Sequence, residues 1–197
     1  MLSNARSRCS TSVYLAAYAD ESYDLDLGVY VLTASLIDRT EAEPIRAVLT
    51  HLRKGGRKLH WSKEPDRRRE EIAKVASSFR STNLVVVGSA SPMNAERARR
   101  KCLEAILPEV EAAGGSVLTL ESRRPHNDKL DKQTVAVCKR KRVISMKVHV
   151  EFMPGDAEPM LWLPDIVCGA ALAAARGNRR YLEQLADAAR LLDVDAS

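Results

Sequence analysis

The chain is poor in aromatic residues and in cysteine. Phe, Trp and Tyr make up only 5% of its 197 residues, so a hydrophobic core has to be built mainly from Ala, Val, Leu and Ile. The four cysteines form no C-x-x-C pair, which argues against a zinc ribbon or a disulfide scaffold. They lie far apart, at Cys9, Cys102, Cys138 and Cys168, and the last three are expected to be small buried residues.

Long apolar runs are also missing. No stretch approaches the roughly 18 apolar residues of a membrane span, and residues 1–8 lack the apolar run of a secretory signal, so we expect a cytoplasmic protein with no membrane contact. The glycine-rich motifs G-x-G-x-x-G and G-x-x-x-x-G-K-[ST] do not occur either, which disfavours the common nucleotide-binding domains. Hydrophobic residues at 45% and charged residues at 29% are typical of a folded domain.

Hydrophobic periodicity predicts an alternation of strands and helices. The predicted strands are 12–19, 28–37, 83–90, 116–121 and 147–152, and the predicted helices are 40–54, 65–79, 93–113, 161–175 and 178–192. This order predicts one α/β domain over residues 1–197, with a core at about 12–176 and a C-terminal helix at 178–192. Its central sheet is mixed, starts with an antiparallel hairpin and is covered by helices. The amphipathic last helix is a candidate surface for homo-oligomer formation.

Three acidic residues stand at the end of a strand, which is well placed to hold a ligand, or inside an apolar segment, where a carboxylate is unexpected. Asp20 follows the first strand, Glu121 ends an apolar strand, and Asp165 interrupts an otherwise apolar helix, where an ionised group is costly unless it is paired or bound to metal. Mg²⁺ is commonly held by one or two carboxylates together with water and substrate phosphate. For Asp20 a solvated hairpin turn is the simpler alternative, but three such acids together favour a metal site.

Four segments, in this order, resemble the DUF3800 family, whose fold is similar to that of ribonuclease H. They are YADES after the first strand, the second strand GVYVLTASLID, the segment KLHW, and LPDIVCGAALAA near the C-terminus. The resemblance covers residues 12–175. Two positions depart from the family pattern: Tyr23 stands where the family often has Gly, and Pro164 precedes Asp165. Neither departure removes a carboxylate.

The resemblance implies a divalent-metal-dependent nuclease that hydrolyses phosphodiester bonds of DNA or RNA. Asp20, Glu121 and Asp165 would hold Mg²⁺ or Mn²⁺, with two ions about 4 Å apart and Asp20 bridging them. Glu21 is a further candidate, although adjacent strand residues point to opposite faces of a sheet. His60 could orient or protonate the leaving group, or could simply pack beside Trp61. The alternative is an inactive nucleic-acid-binding or regulatory interaction protein with the same fold.

The net charge of +5 is unevenly distributed. Residues 51–70 contain eight Lys or Arg against three acids, and residues 123–142 contain eight against two, so the rest of the chain is acidic by 6 charges. Basic segments around an acidic centre suit nucleic acid, since phosphates bind Lys and Arg. The candidate contacts are Lys58, Lys63, Arg123 and Arg124. Solvated helix faces explain such segments equally well.

Overall fold

A computed structural model describes residues 15–197, which form six strands and six α-helices. The strands are β1 (Leu15–Asp24), β2 (Val29–Asp38), β3 (Ser81–Ser89), β4 (Gly115–Glu121), β5 (His149–Met153) and β6 (Ala189–Asp195). The helices are α1 (Arg39–Leu52), α2 (Asp66–Ala76), α3 (Ala95–Ala112), α4 (Pro125–Arg140), α5 (Trp162–Ala175) and α6 (Arg180–Gln184). Short 3₁₀ helices cover Trp61–Lys63, Pro159–Leu161 and Ala186–Ala188.

All six strands belong to one mixed sheet in the order β5-β4-β1-β2-β3-β6. β1, β2 and β3 are antiparallel neighbours. A tight turn joins β1 to β2, and within this turn the Leu27 amide donates to Asp24 Oδ1 (3.0 Å). β4 is parallel to β1, and β5 is parallel to β4, which the helical crossovers α3 and α4 make possible. No helix within residues 15–197 is long and apolar enough to cross a membrane.

Helices cover both faces of this sheet and give the domain two hydrophobic layers. One layer joins α1, α2 and α5 to the face that carries Tyr18, and the other joins α3 and α4 to the face that carries Ala17 and Ala19. Because side chains alternate along β1, Asp20 points toward α5 and Glu21 toward α3. The two adjacent acids are therefore separated by the sheet.

The expected fold class is confirmed: the chain is an α/β domain with a mixed sheet, an N-terminal hairpin and helical cover. Most boundaries agree within a few residues. The first predicted strand starts outside the described residues, where Cys9 also lies. In the structure this strand continues to Asp24, so Asp20 and Glu21 lie within the strand rather than in a turn. Helix α4 occupies the basic segment after Glu121, where the sequence pattern predicts no helix or strand. Cys102, Cys138 and Cys168 are buried, as expected.

The predicted C-terminal helix 178–192 is wrong. Within that range only Arg180–Gln184 is α-helical, and residues 189–195 form β6, which pairs in parallel with β3. Leu192 and Val194 alternate onto the sheet's core layer with a period of two, and β3 offers a strand edge whose backbone groups need partners. Tertiary pairing therefore overrides the helical pattern. The amphipathic helix considered for homo-oligomer formation does not exist.

Candidate active site

Asp20 and Glu121 lie side by side at one end of the sheet. The parallel pairing of β1 with β4 runs as far as Ala19 opposite Leu120, so these two acids each come one residue further along neighbouring strands. Both point to the face that α5 covers. Beyond this point β1 pairs only with β2, which leaves room beside the two carboxylates.

Helix α5 brings Asp165 to the same place. One turn after Asp165, Cys168 Sγ donates to the backbone carbonyl of Asp20 (3.1 Å), which fixes the helix against β1 at that acid. Asp165 is the only residue from Trp162 to Leu172 that is not fully buried. Its Oδ2 accepts a hydrogen bond from the Trp61 amide (3.0 Å). The sequence-predicted acids Asp20, Glu121 and Asp165 therefore converge.

The Trp61 indole reaches α5 because residue 169 is Gly. A Cβ there would lie 2.0 Å from the indole ring, so any larger residue would displace Trp61 and with it the amide that holds Asp165. Trp61 also contacts Tyr181 edge-on, with ring centroids 5.1 Å apart. The segment after α1 is thereby anchored to the helix that carries Asp165.

Lys58 lies among these carboxylates. Its Nζ is 3.5 Å from Asp20 Oδ2 and forms a shorter ion pair with Glu121 Oε2, and its side chain is only 10% exposed. The ammonium is thus engaged by two acids, and the expected contact of Lys58 with nucleic acid stays a prediction.

Burial and mutual repulsion raise the pKa of two of the carboxyls beside Lys58. Burial and the neighbouring Glu21 and Glu121 raise the pKa of Asp20 well above its ordinary value. Burial also raises the pKa of Asp165, to about 6. Burial alone would lower the pKa of Lys58, but Asp20 and Glu121 raise it, so the ammonium stays charged. The site thus crowds three acids around one charged ammonium.

Glu21 belongs to a different cluster on the opposite face. Its Oε2 pairs with Arg99 Nη1 (2.6 Å), and the Arg99 Nε donates to both oxygens of Asp131 (3.1 and 3.0 Å). Arg123 bonds Asp131 and Glu96 in the same network. Alternation along β1 thus turns Glu21 away from the other three candidate acids, and its candidate catalytic role stays a prediction. The Arg123 guanidinium is engaged by Asp131 and Glu96 and its side chain is 17% exposed, so its expected contact with nucleic acid stays a prediction.

A cleft of about 510 Å³ opens beside Glu121 and Lys58. Its other lining residues are Gly55, Gly56, Arg57, His60, Lys63, Glu64, Gly155 and Asp156. Asp20 and Asp165 do not line it, and Lys58 connects it to Asp20. Burial, together with Lys58 and Lys63, lowers the pKa of His60, so this imidazole is neutral near pH 7. Lys63 is exposed at the rim, and Arg124 is exposed just before α4, where both remain candidates for phosphate contacts.

The loop after β5 closes over Glu121 at Gly155. A Cβ at residue 155 would lie 2.4 Å from Glu121 Oε1, and the Gly155 carbonyl accepts a hydrogen bond from Trp162 Nε1 (2.6 Å), which fixes the loop in place. The position of the Glu121 carboxylate therefore depends on the absence of a side chain here.

Gly155→Ala is expected to displace the Glu121 carboxylate while leaving the fold nearly intact, because the displaced atoms end a flexible side chain. Any activity that requires the Glu121 carboxylate should fall about tenfold or more, since a misplaced group loses the productive geometry. The melting temperature should change by no more than a few degrees. Turnover and thermal unfolding of the same preparation measure the two effects, and equal activity of variant and wild type would contradict the role given to Gly155.

The donor set fits a hard divalent cation, although it is not preassembled for one. Asp20, Glu121 and Asp165 offer only carboxylate oxygens, which suit Mg²⁺ and Mn²⁺. Within residues 15–197 no group of three or more His, Cys, Asp or Glu side chains is already arranged to hold a metal ion. Lys58 stands between two of the three acids. The excess negative charge fits a metal, and the ammonium restricts where it could bind.

Sequence reasoning missed Arg99 and Asp131. Arg99 lies on the apolar stripe of α3 formed by Cys102, Leu103 and Ile106, with the spacing i, i+3, i+4, i+7. Asp131 stands in the same relation to Thr134, Val135 and Cys138 on α4. A charge on an apolar stripe was the signal that singled out Asp165, and it would have found both of these residues.

One comparison with known proteins identifies the fold. No protein-family model matches the chain, and no curated protein shows significant sequence similarity to it. The chain is similar in structure to a chain in the PCNA:RNase HII complex from Archaeoglobus fulgidus, with a TM-score of 0.53 and 12% identity over 87% of this chain and 77% of that one. The domain therefore has a ribonuclease H-like fold.

Proposed function

We propose that this protein is a divalent-metal-dependent nuclease that hydrolyses phosphodiester bonds of DNA or RNA. One observation carries the proposal: Asp20, Glu121 and Asp165, on three different elements, meet at one end of the sheet in a ribonuclease H-like fold. Burial of several carboxylates near one another is costly without a compensating cation. An arrangement this unfavourable is characteristic of functional sites.

The proposed metal would be Mg²⁺ or Mn²⁺, and when bound it would activate water and neutralise charge on the scissile phosphate. Asp20, Glu121 and Asp165 would be its ligands. The neutral imidazole of His60 could accept a proton or orient the substrate at the cleft wall, but it is poorly suited to begin as a charged acid.

The rim of the cleft supports a polyanionic substrate. Arg53, Lys54, Arg57 and Lys63 are exposed around the Gly55-Gly56 loop, next to the acidic centre. Such residues would bind the phosphate backbone without reading its sequence. Arg124 would extend this surface on the other basic segment.

Cleavage by the purified full chain tests the proposal. The substrates are labelled single- and double-stranded DNA, single-stranded RNA and an RNA–DNA hybrid, each incubated with Mg²⁺, Mn²⁺ or EDTA. We expect cleavage of at least one substrate in Mn²⁺ or Mg²⁺ and none in EDTA. Absence of cleavage in every metal-containing reaction would contradict the proposed nuclease function.

The Lys58 ion pairs favour one second candidate, an inactive nucleic-acid-binding protein in which the ammonium replaces the metal altogether. That protein would bind one of these substrates without cleaving it, and the binding would weaken steeply with salt. A binding assay at 50 and 200 mM salt alongside the cleavage assay separates the two candidates.

A further inference from the structure

Lys58 is held at the carboxylates by the segment that carries it. Along residues 58–61, Leu59 and Trp61 are buried at 2% and 4% exposure, while Lys58 and His60 alternate with them and line the cleft. Each cleft residue is thus followed directly by a buried anchor, Lys58 by Leu59 and His60 by Trp61. The ammonium is a built part of the site rather than a flexible surface charge.

The charges around Lys58 leave room for one divalent ion. Asp20, Glu121 and Asp165 contribute three negative charges when ionised, and Lys58 contributes one positive charge. Glu21, which follows Asp20 in the chain, is paired with Arg99 on the opposite face. A bound Mg²⁺ or Mn²⁺ would favour the ionised forms of all three acids, and its charge would equal the excess of two negative charges that they and Lys58 then carry.

We infer that the Lys58 ammonium takes the place of one of the two metal ions expected for this kind of site, so that the protein binds a single divalent cation. The inference rests on the proposed function and makes it more specific. Lys58 lies between Asp20, the acid expected to bridge the two ions, and the neighbouring Glu121. A tethered ammonium supplies positive charge there at all metal concentrations, but it cannot polarise a bound water as a metal does.

A calorimetric titration of the metal-free full chain with Mn²⁺, in the absence of nucleic acid, tests the inference. Wild type is expected to bind one Mn²⁺ per chain. Lys58→Met keeps the length of the side chain but removes its charge, and it is expected to bind two. Lys58→Gln, a polar neutral replacement, should also bind two and provides a second variant if the first one does not fold.

Three matched variants complete the titration. Lys58→Arg retains a cation and is expected to bind one ion. Lys63→Met removes the charge of an exposed lysine in the same cleft and is also expected to bind one. Asp20→Asn should bind at least tenfold more weakly, which assigns the ion to this site rather than to the surface.

Two Mn²⁺ per wild-type chain, or a single ion in folded Lys58→Met and Lys58→Gln, would overturn the inference. Its failure is distinguishable from that of the proposed function. If wild type binds two Mn²⁺ ions and cleaves a substrate, the inference about Lys58 fails and the proposed nuclease function stands. If wild type binds one Mn²⁺ ion but cleaves no substrate, the inference is supported and the proposed nuclease function fails. If it binds no ion, both the inference and the proposed function fail.

Discussion

Asp20→Asn is expected to reduce metal-dependent cleavage by roughly 10³-fold, because it removes a ligand oxygen at the centre of the carboxylate cluster. The Asp20 side chain contacts Lys58, its carbonyl accepts from Cys168, and its pKa is raised by burial and by neighbouring acids. Asn preserves the shape of the side chain and removes the charge. Initial rates with wild type and variant under saturating Mn²⁺ measure the effect.

Asp26→Asn is the matched control, since Asp26 is exposed in the turn at the end of the same hairpin. Its cleavage rate should stay within twofold of wild type. The metal-free Asp20→Asn variant should melt no lower than wild type, because folding raises the pKa of Asp20 and so disfavours its ionised form at neutral pH. Cleavage by a folded Asp20→Asn variant at the wild-type rate would refute the proposed site.

Arg99→Met is expected to lower the free energy of unfolding by about 3–5 kcal/mol, because it leaves buried acids without their cation. The Arg99 side chain is 1% exposed and pairs with Glu21 and Asp131, while its Nη1 also lies 3.5 Å from the Tyr30 hydroxyl. These contacts join β1, β2, α3 and α4 behind the sheet. Urea unfolding followed by circular dichroism measures the loss.

The neighbouring Arg100 provides a control on the same helix. It pairs with Glu104 at the surface, with both side chains more than one-third exposed. Arg100→Met should therefore cost less than about 0.5 kcal/mol. Equal effects of the two substitutions would show that the network around Arg99 does not stabilise the fold.

Much of the site followed from local patterns. Asp20 and Glu121 end apolar stretches, and Asp165 interrupts an apolar helix; each was visible in the sequence and each reaches the same end of the sheet. Local pattern could not assign partners to the basic residues. Lys58 and Arg123 lie in basic segments, yet both are engaged by acids that are distant in the chain, Glu121 and Glu96 respectively.

Glu21 shows most clearly what a local sequence pattern does not predict. It is adjacent to Asp20 in the sequence, but the pleat of β1 directs the two side chains to opposite faces, where one meets Lys58 and the other meets Arg99. Strand alternation predicted that the two acids would separate. Only the packed helices decided which of them faces the cluster.

The sequence by itself determined the α/β class, the hairpin, most element boundaries and the three acids that converge, because these depend on periodicity and on costly charges in apolar segments. The tertiary structure alone decided the strand order, the conversion of residues 189–195 from predicted helix to β6, and the placement of Lys58 between Asp20 and Glu121. These features depend on contacts between residues far apart in the chain. A local pattern records that a side chain is charged or apolar, but it does not record which distant group will meet it.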